Sequence, residues 1–204
     1  MARRPPHVVL VCRNPEKGRA ALADIHRGSP GAPLDLLIAD MSSLASVRAL
    51  AAQILETYPR VDVLINNAGT AISKRALSVE GIEMSIAGNH LGAFLLTLLL
   101  LDRLKVSAPS RIESPDERCT FELARRLNAT GVTANCLHPG VVVTNIWHSG
   151  EKDQPLLFRI PVGIFKPFML NSKKGAEVSL CESRLRCLTG RTALQPLPQE
   201  QLVF

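Results

Sequence analysis

The apolar stretch that opens VDVLINNAGT ends in Asn66, Asn67, Ala68 and Gly69, two amides and two small residues. Side chains this short let a backbone approach a flat ring or a ribose, although a tight turn uses the same residues. Three other places carry comparable chemistry. Arg13, Asn14 and Lys17 follow HVVLVC, and a guanidinium there could clamp a phosphate bidentately, or simply lie on the surface at a helix entrance. Asp40 and Met41 close LDLLIADM, where the carboxylate could accept from an amino group or merely precede the next helix. His138, Pro139, Gly140 and Thr144 follow GVTANCL, and their backbone groups and hydroxyl could pin a carboxamide. The imidazole of His138 taken alone reads as structural.

These groups need elements to hold them, and the periodicity supplies an alternation. HVVLVC (7–12), LDLLIAD (34–40), VDVLINN (61–67) and GVTANCLHPGVV (131–142) read as strands. Between them EKGRAALADIH (16–26), SSLASVRALAAQILETY (42–58), a long run from about residue 85 to 105, and FELARRLNA (121–129) read as helices, with Ser42 or Ser43 able to cap the second. Strands separated by helices of this length imply a doubly wound α/β fold with a parallel sheet. In such a sheet, ligands bind beyond the carboxyl ends of the strands, where all four groups fall.

Composition narrows the function. With 46% hydrophobic and 21% charged residues the 204-residue chain is globular, and its net charge of +6 is scattered, which argues against nucleic acid. Cysteines at 12, 119, 136, 181 and 187 form no CxxC pair, so neither a disulfide framework nor a zinc site is expected. Buried thiols fit a reducing compartment, the cytosol or the cytosolic face of a membrane. The longest apolar run, Leu91 to Leu101, is too short to cross a bilayer, so a buried helix and no transmembrane segment are expected.

Taken in order, VVLVCRNPEKG, DMSSLASVRALA, VDVLINNAG, GNHLGAFLLTLLLLDRLKVSAPSRI and ELARRLNATGVTANCLHPGVVVTN resemble the short-chain dehydrogenase/reductase family, and within it the retinol dehydrogenase-like branch. The resemblance covers most of residues 7 to 192, expected to form one domain, with 193–204 a loose tail. It implies an NAD(P)-dependent oxidoreductase of alcohols and carbonyls, with retinoids as the typical substrates. By resemblance, Arg13 matches the selector for NADP and Asp40 the acid that contacts adenine. Asn67, Ala68 and Gly69 match the ribose and nicotinamide loop, Asn89 the active-site asparagine, and Pro139, Gly140 and Thr144 the nicotinamide clamp. PLLFRIPVGIFKPFML (155–170) falls where the family covers its substrate mouth, and could serve as a lid or as a peripheral membrane contact.

Two departures temper this. The family places a strand and a TGxxxGIG turn before the segment that here starts at residue 7, and the glycines seat the pyrophosphate on a helix N-terminus. The family's proton relay, a serine and a tyrosine followed four residues on by lysine, has no counterpart. The single tyrosine, Tyr58, is followed at that spacing by Asp62, and no lysine occurs between Lys105 and Lys152. Ser114 stands nearest the place of the serine, but Glu113, Pro115 and Asp116 read as a turn. A sheet lacking one central strand and most of another is therefore expected. Hydride-transfer activity should be impaired or absent, the alternative being a non-catalytic remnant that binds or pairs.

Overall fold

The computed structural model describes residues 6–70, 72, 74–136, 142–143 and 170–171. Strands and helices alternate as Val8–Cys12 (β1), Pro15–Gly28 (α1), Leu34–Ile38 (β2), Leu44–Thr57 (α2) and Val63–Ile65 (β3). A long helical run follows: Met84–Ile86 (α3), a π-helical turn at Ala87–Leu91, and Gly92–Val106 (α4). Then come Ser110–Ser114 (β4), Glu117–Arg126 (α5) and Val132–Cys136 (β5), and a short parallel pair, Val142–Val143 (β6) with Leu170–Asn171 (β7).

Every ladder among the described residues is parallel, as the alternation requires. β1 pairs with β2, and β3–β4–β5 form a three-stranded unit. Among the described residues neither β1 nor β3 has a ladder partner on its second edge, so the sheet is interrupted where a central strand was expected to be missing. One apolar cluster nevertheless joins both units. Val9 and Leu37 from the first meet Leu64, Ile112 and Ala134 from the second, beneath Val47, Leu50 and Ile54 of α2 and Leu96, Leu100 and Leu104 of α4. Strand alternation sends Leu10, Cys12 and Leu36 to the other face, under α1. There Gly18 has no room for a side chain, because a Cβ would lie 2.6 Å from Cys12 Sγ and 2.7 Å from Leu36.

The helix ends explain themselves. Asn14 caps α1 by accepting from the N–H groups of Glu16 and Lys17, and Ser43 caps α2 by accepting from Ser46 N–H. Glu80 reaches across from a loop to accept from Leu44 N–H at 2.7 Å. At the other end of α2, Arg103 of α4 donates to the carbonyls of Leu55 and Tyr58. Free carbonyls of a helix terminus are satisfied from its neighbour, which locks the α2–α4 pair.

Two expectations are corrected here. β4 is a full five-residue strand paired on both sides, so the expectation that most of a second strand is missing does not hold. Ser114 ends that strand opposite Cys136 and is not part of a turn. The charge that disguised it, Glu113, is buried on the strand with Arg111 Nε 3.0 Å from its carboxylate. The long helix expected from about residue 85 to 105 is seen as α3, the π-helical turn and α4. Met84–Val106 is 23 residues, longer than the apolar run within it, and is long and apolar enough to cross a bilayer by length and composition only. Here Leu96, Leu100 and Leu104 enter the core, while Ile86, Phe94, Leu98 and Val106 stay exposed.

Candidate functional site

The carboxyl ends of β1, β2 and β3 bring most of the candidate residues together. Arg13 follows β1 with its side chain 71% exposed, and its Nη1 lies 4.0 Å from Asp40 Oδ2, beyond the end of β2. The other carboxylate oxygen of Asp40 accepts from Ser42 N–H at 2.9 Å and from the Ser42 hydroxyl at 2.6 Å. Partial burial works to raise the carboxyl of Asp40, but the Ser42 donors and the Arg13 guanidinium outweigh it and hold the group below its usual range. Asp40 is thus an ionised acceptor loosely paired with a largely exposed guanidinium. Asn14 is consumed as a helix cap, and Lys17 is exposed in the first turn of α1.

Met41 continues that loop directly onto the helical run. A Cβ on Gly92 would stand 2.0 Å from the carbonyl oxygen of Met41 and 3.0 Å from its carbon. Only glycine lets the β2 loop touch the start of α4. One turn earlier, Gly88 faces Ser42 and Thr70.

Beyond β3, Asn67, Ala68 and Gly69 are exposed, whereas Asn66 is tied down. Its N–H donates to Glu113 O and its amide to Thr97 Oγ1, at 2.8 and 3.0 Å. The loop is pinned at its far end by Asn89 in the π-helical turn. Asn89 Oδ1 accepts from Thr70 N–H at 2.7 Å, and its amide nitrogen donates to Thr70 O at 2.9 Å. A π turn widens a helix locally and re-aims its side chains, a device frequent at functional sites. Here it aims Asn89 at the NNAG loop.

The chemical centre is different. A cavity of about 30 Å³ beyond β3 and β4 is lined by Asn66, Asn89, His90, Ser114, Asp116 and Cys119 among others. That is room for a water molecule or two, against roughly 300–1,000 Å³ for ordinary small-molecule sites. Tyr58 is remote from it at the end of α2, donating its hydroxyl to Asp35 Oδ2 at 2.7 Å, with His7 Nε2 2.9 Å from the same oxygen. Burial, then the Asp35 carboxylate, pushes the Tyr58 phenol above its ordinary range, the reverse of what a lysine neighbour would do. An acid whose folded pKa is raised adds stability below its unfolded pKa and loses it as pH rises beyond that value, near 10 here. Tyr58→Phe is therefore expected to cost about 1 kcal/mol at neutral pH, with the deficit shrinking above about pH 10. Urea unfolding at neutral and alkaline pH checks this, and a deficit independent of pH would contradict it.

Pro139, Gly140, Thr144, the 155–170 segment up to its last residue, Leu170, and the 193–204 tail lie outside the described residues. Sequence reasoning missed Gly92, whose role depends on a loop fifty residues away. It also missed Glu80, His90, Asp116 and Cys119. An acid in a loop or one histidine in a helix has no spacing signal of its own.

The arrangement is that of a doubly wound parallel sheet with its loops gathered at the carboxyl edge. The short chain dehydrogenase family model matches residues 1–112. The chain is 39% identical over 185 residues to retinol dehydrogenase 13 of Homo sapiens, covering 74% of this chain and 56% of that protein. It is 33% identical over 213 residues to retinol dehydrogenase 12 of Mus musculus, covering 88% and 66% respectively. A Caenorhabditis elegans short-chain dehydrogenase/reductase of unknown function, solved with cofactor, superposes with a TM-score of 0.68 at 16% identity, over 97% of this chain and 84% of that one. A short-chain oxidoreductase of Pseudomonas aeruginosa, solved with NADPH and described as having an atypical catalytic center, gives 0.63 at 16% identity, over the same shares of the two chains. The chain belongs to the short-chain dehydrogenase family. Within that family it falls in the retinol dehydrogenase-like branch. It spans less than two thirds of the length of either retinol dehydrogenase. The family-model match ends at Ile112, while the two retinol dehydrogenases align over 74% and 88% of the chain.

Proposed function

We propose that this chain keeps dinucleotide-binding loops of an NAD(P)-dependent oxidoreductase but has lost the means to move the substrate's proton. The observation that carries the first half is the assembly of Arg13, Asp40, Met41, Asn67–Gly69 and Asn89 around one edge of the sheet. Exposed backbone at Ala68 and Gly69 admits a ribose or a flat ring. Arg13 supplies a charge for a ribose 2′-phosphate, so NADP is the preferred dinucleotide. When bound, that cofactor supplies or accepts a hydride. The substrate class, retinol-type alcohols and the matching aldehydes or ketones, rests on the branch to which the chain belongs.

The second half follows from the residue types at the centre. Asn89 is an amide already committed to Thr70, and an amide does not titrate near neutral pH. Ser114 has a hydroxyl but no tyrosine or lysine beside it among the described residues, and the one imidazole in its cavity, His90, is hydrogen-bonded to Asp116. A remnant that binds without turning over is therefore the reading we prefer.

Cofactor choice is testable directly. A charge-assisted contact contributes about 1.5–3 kcal/mol, so Arg13→Ala should weaken NADPH about 10- to 100-fold and leave NADH nearly unchanged. Titrations of both cofactors by isothermal calorimetry measure this. Equal affinity of the unaltered chain for the two would remove the basis for the preference.

A further inference from the structure

The cavity at the centre has an unexpected wall. His90 of the π turn, Asp116 at the N-cap of α5 and Cys119 in its first turn each present a metal-ligating atom, and these atoms lie within 4.8 Å of one another. All three side chains are partly buried. We propose that His90, Asp116 and Cys119 form a three-ligand site for a divalent transition-metal ion of the zinc class, with an open fourth position facing the cavity. No CxxC or HxxxH spacing announced it, because the ligands come from two elements that only the fold brings together.

Four features support the assignment. The donor set is nitrogen, sulfur and oxygen, which suits zinc-like ions and not calcium or magnesium. Three protein ligands leave one tetrahedral position, and the cavity of about 30 Å³ beside Asn66, Asn89 and Ser114 has room for a water there. The positions are braced: Asp116 Oδ1 accepts from Cys119 N–H at 3.1 Å, and the His90 ring stacks on Phe94 with centroids 6.1 Å apart. Charge also balances, since one carboxylate and one thiolate offset a divalent cation.

A thiol ligates a metal as its thiolate, so the Cys119 proton must leave when the ion binds. Metal entry would release that proton to solvent and form the metal–sulfur bond, with no change of oxidation state. His90 Nδ1 and Asp116 Oδ2 are hydrogen-bonded to each other. They would have to part to about 3.4 Å, the separation that tetrahedral bonds near 2.1 Å demand. Both side chains, 41% and 29% exposed, would make that small shift.

Cobalt(II) titration of the full chain in a phosphine reductant tests the site. The expected result is a near-ultraviolet thiolate-to-cobalt charge-transfer band that saturates at one ion per chain, with affinity rising as pH rises. Cys119→Ser should abolish the band, His90→Ala should weaken binding by more than about tenfold, and Cys12→Ser should change nothing. Zinc should also slow iodoacetamide labelling of Cys119 but not of Cys12, as mapped by mass spectrometry. This second readout does not depend on any variant folding. A missing band, a band that survives Cys119→Ser, or labelling of Cys119 unaffected by zinc would overturn the proposal.

Discussion

Gly92→Ala is expected to destabilise the chain by at least the upper end of the roughly 1–3 kcal/mol typical of overpacked cores. The clashing atom is the backbone carbonyl oxygen of Met41, 2.0 Å from the added carbon, and a carbonyl cannot swing aside like a side-chain tip. Either the β2 loop or the start of α4 must move. Moving the loop displaces Asp40 from Arg13, and moving the helix pulls Asn89 from Thr70. The damage should therefore appear both in stability and in dinucleotide affinity. For a domain of this size the loss corresponds to roughly 6–12 °C in melting temperature. Gly28→Ala is the matched control. Gly28 ends α1 with nothing within 4 Å of an added Cβ, so alanine there should be neutral or stabilise by up to about 1 kcal/mol. Parallel thermal melts compare the two, and a Gly92→Ala variant that melts with the parent chain would refute the close-approach account.

The second large effect concerns rate. Hydride transfer to a carbonyl carbon requires a proton to reach the oxygen in the same event, and positioned acid–base groups supply about 10²–10⁴-fold. The only tyrosine is bound to Asp35, far from the cavity, with its phenol shifted away from ionisation. No lysine lies between Lys105 and Lys152 to acidify another group. Retinal reduction with NADPH should thus be at least about 10²–10⁴-fold slower, as kcat/KM, than in a relative that keeps tyrosine and lysine. Misplacement of the substrate would lower it further. Retinol formed per chain, resolved by chromatography, measures the ratio. A value within tenfold of such a relative would show that another group carries the proton.

Local patterns made the scaffold legible. β1, β2 and β5 announce themselves as short apolar runs bounded by turn residues, and the Ser43 cap and the apolar spacing of α2 were readable from their order. The gathering of Arg13, Asp40 and the NNAG loop followed from topology, since parallel strands deliver their carboxyl ends to one edge. β4 was misread for a physical reason. Its Arg111–Glu113 pair puts buried charge in a strand, and Pro115 follows its last residue, so the run looked like a turn. Gly92 and the His90, Asp116 and Cys119 cluster depend on contacts between elements, and no periodicity encodes those.

Binding without turnover is tested most directly in one single-turnover experiment that follows the fluorescence of the reduced nicotinamide. NADPH is mixed with an excess of the chain, and all-trans-retinal is then added. Fluorescence should rise on mixing as the ring leaves water, and then hold steady after retinal at the rate of a protein-free control. A decay faster than that control, matched by retinol in the quenched sample, or no rise on mixing at all, would contradict the account.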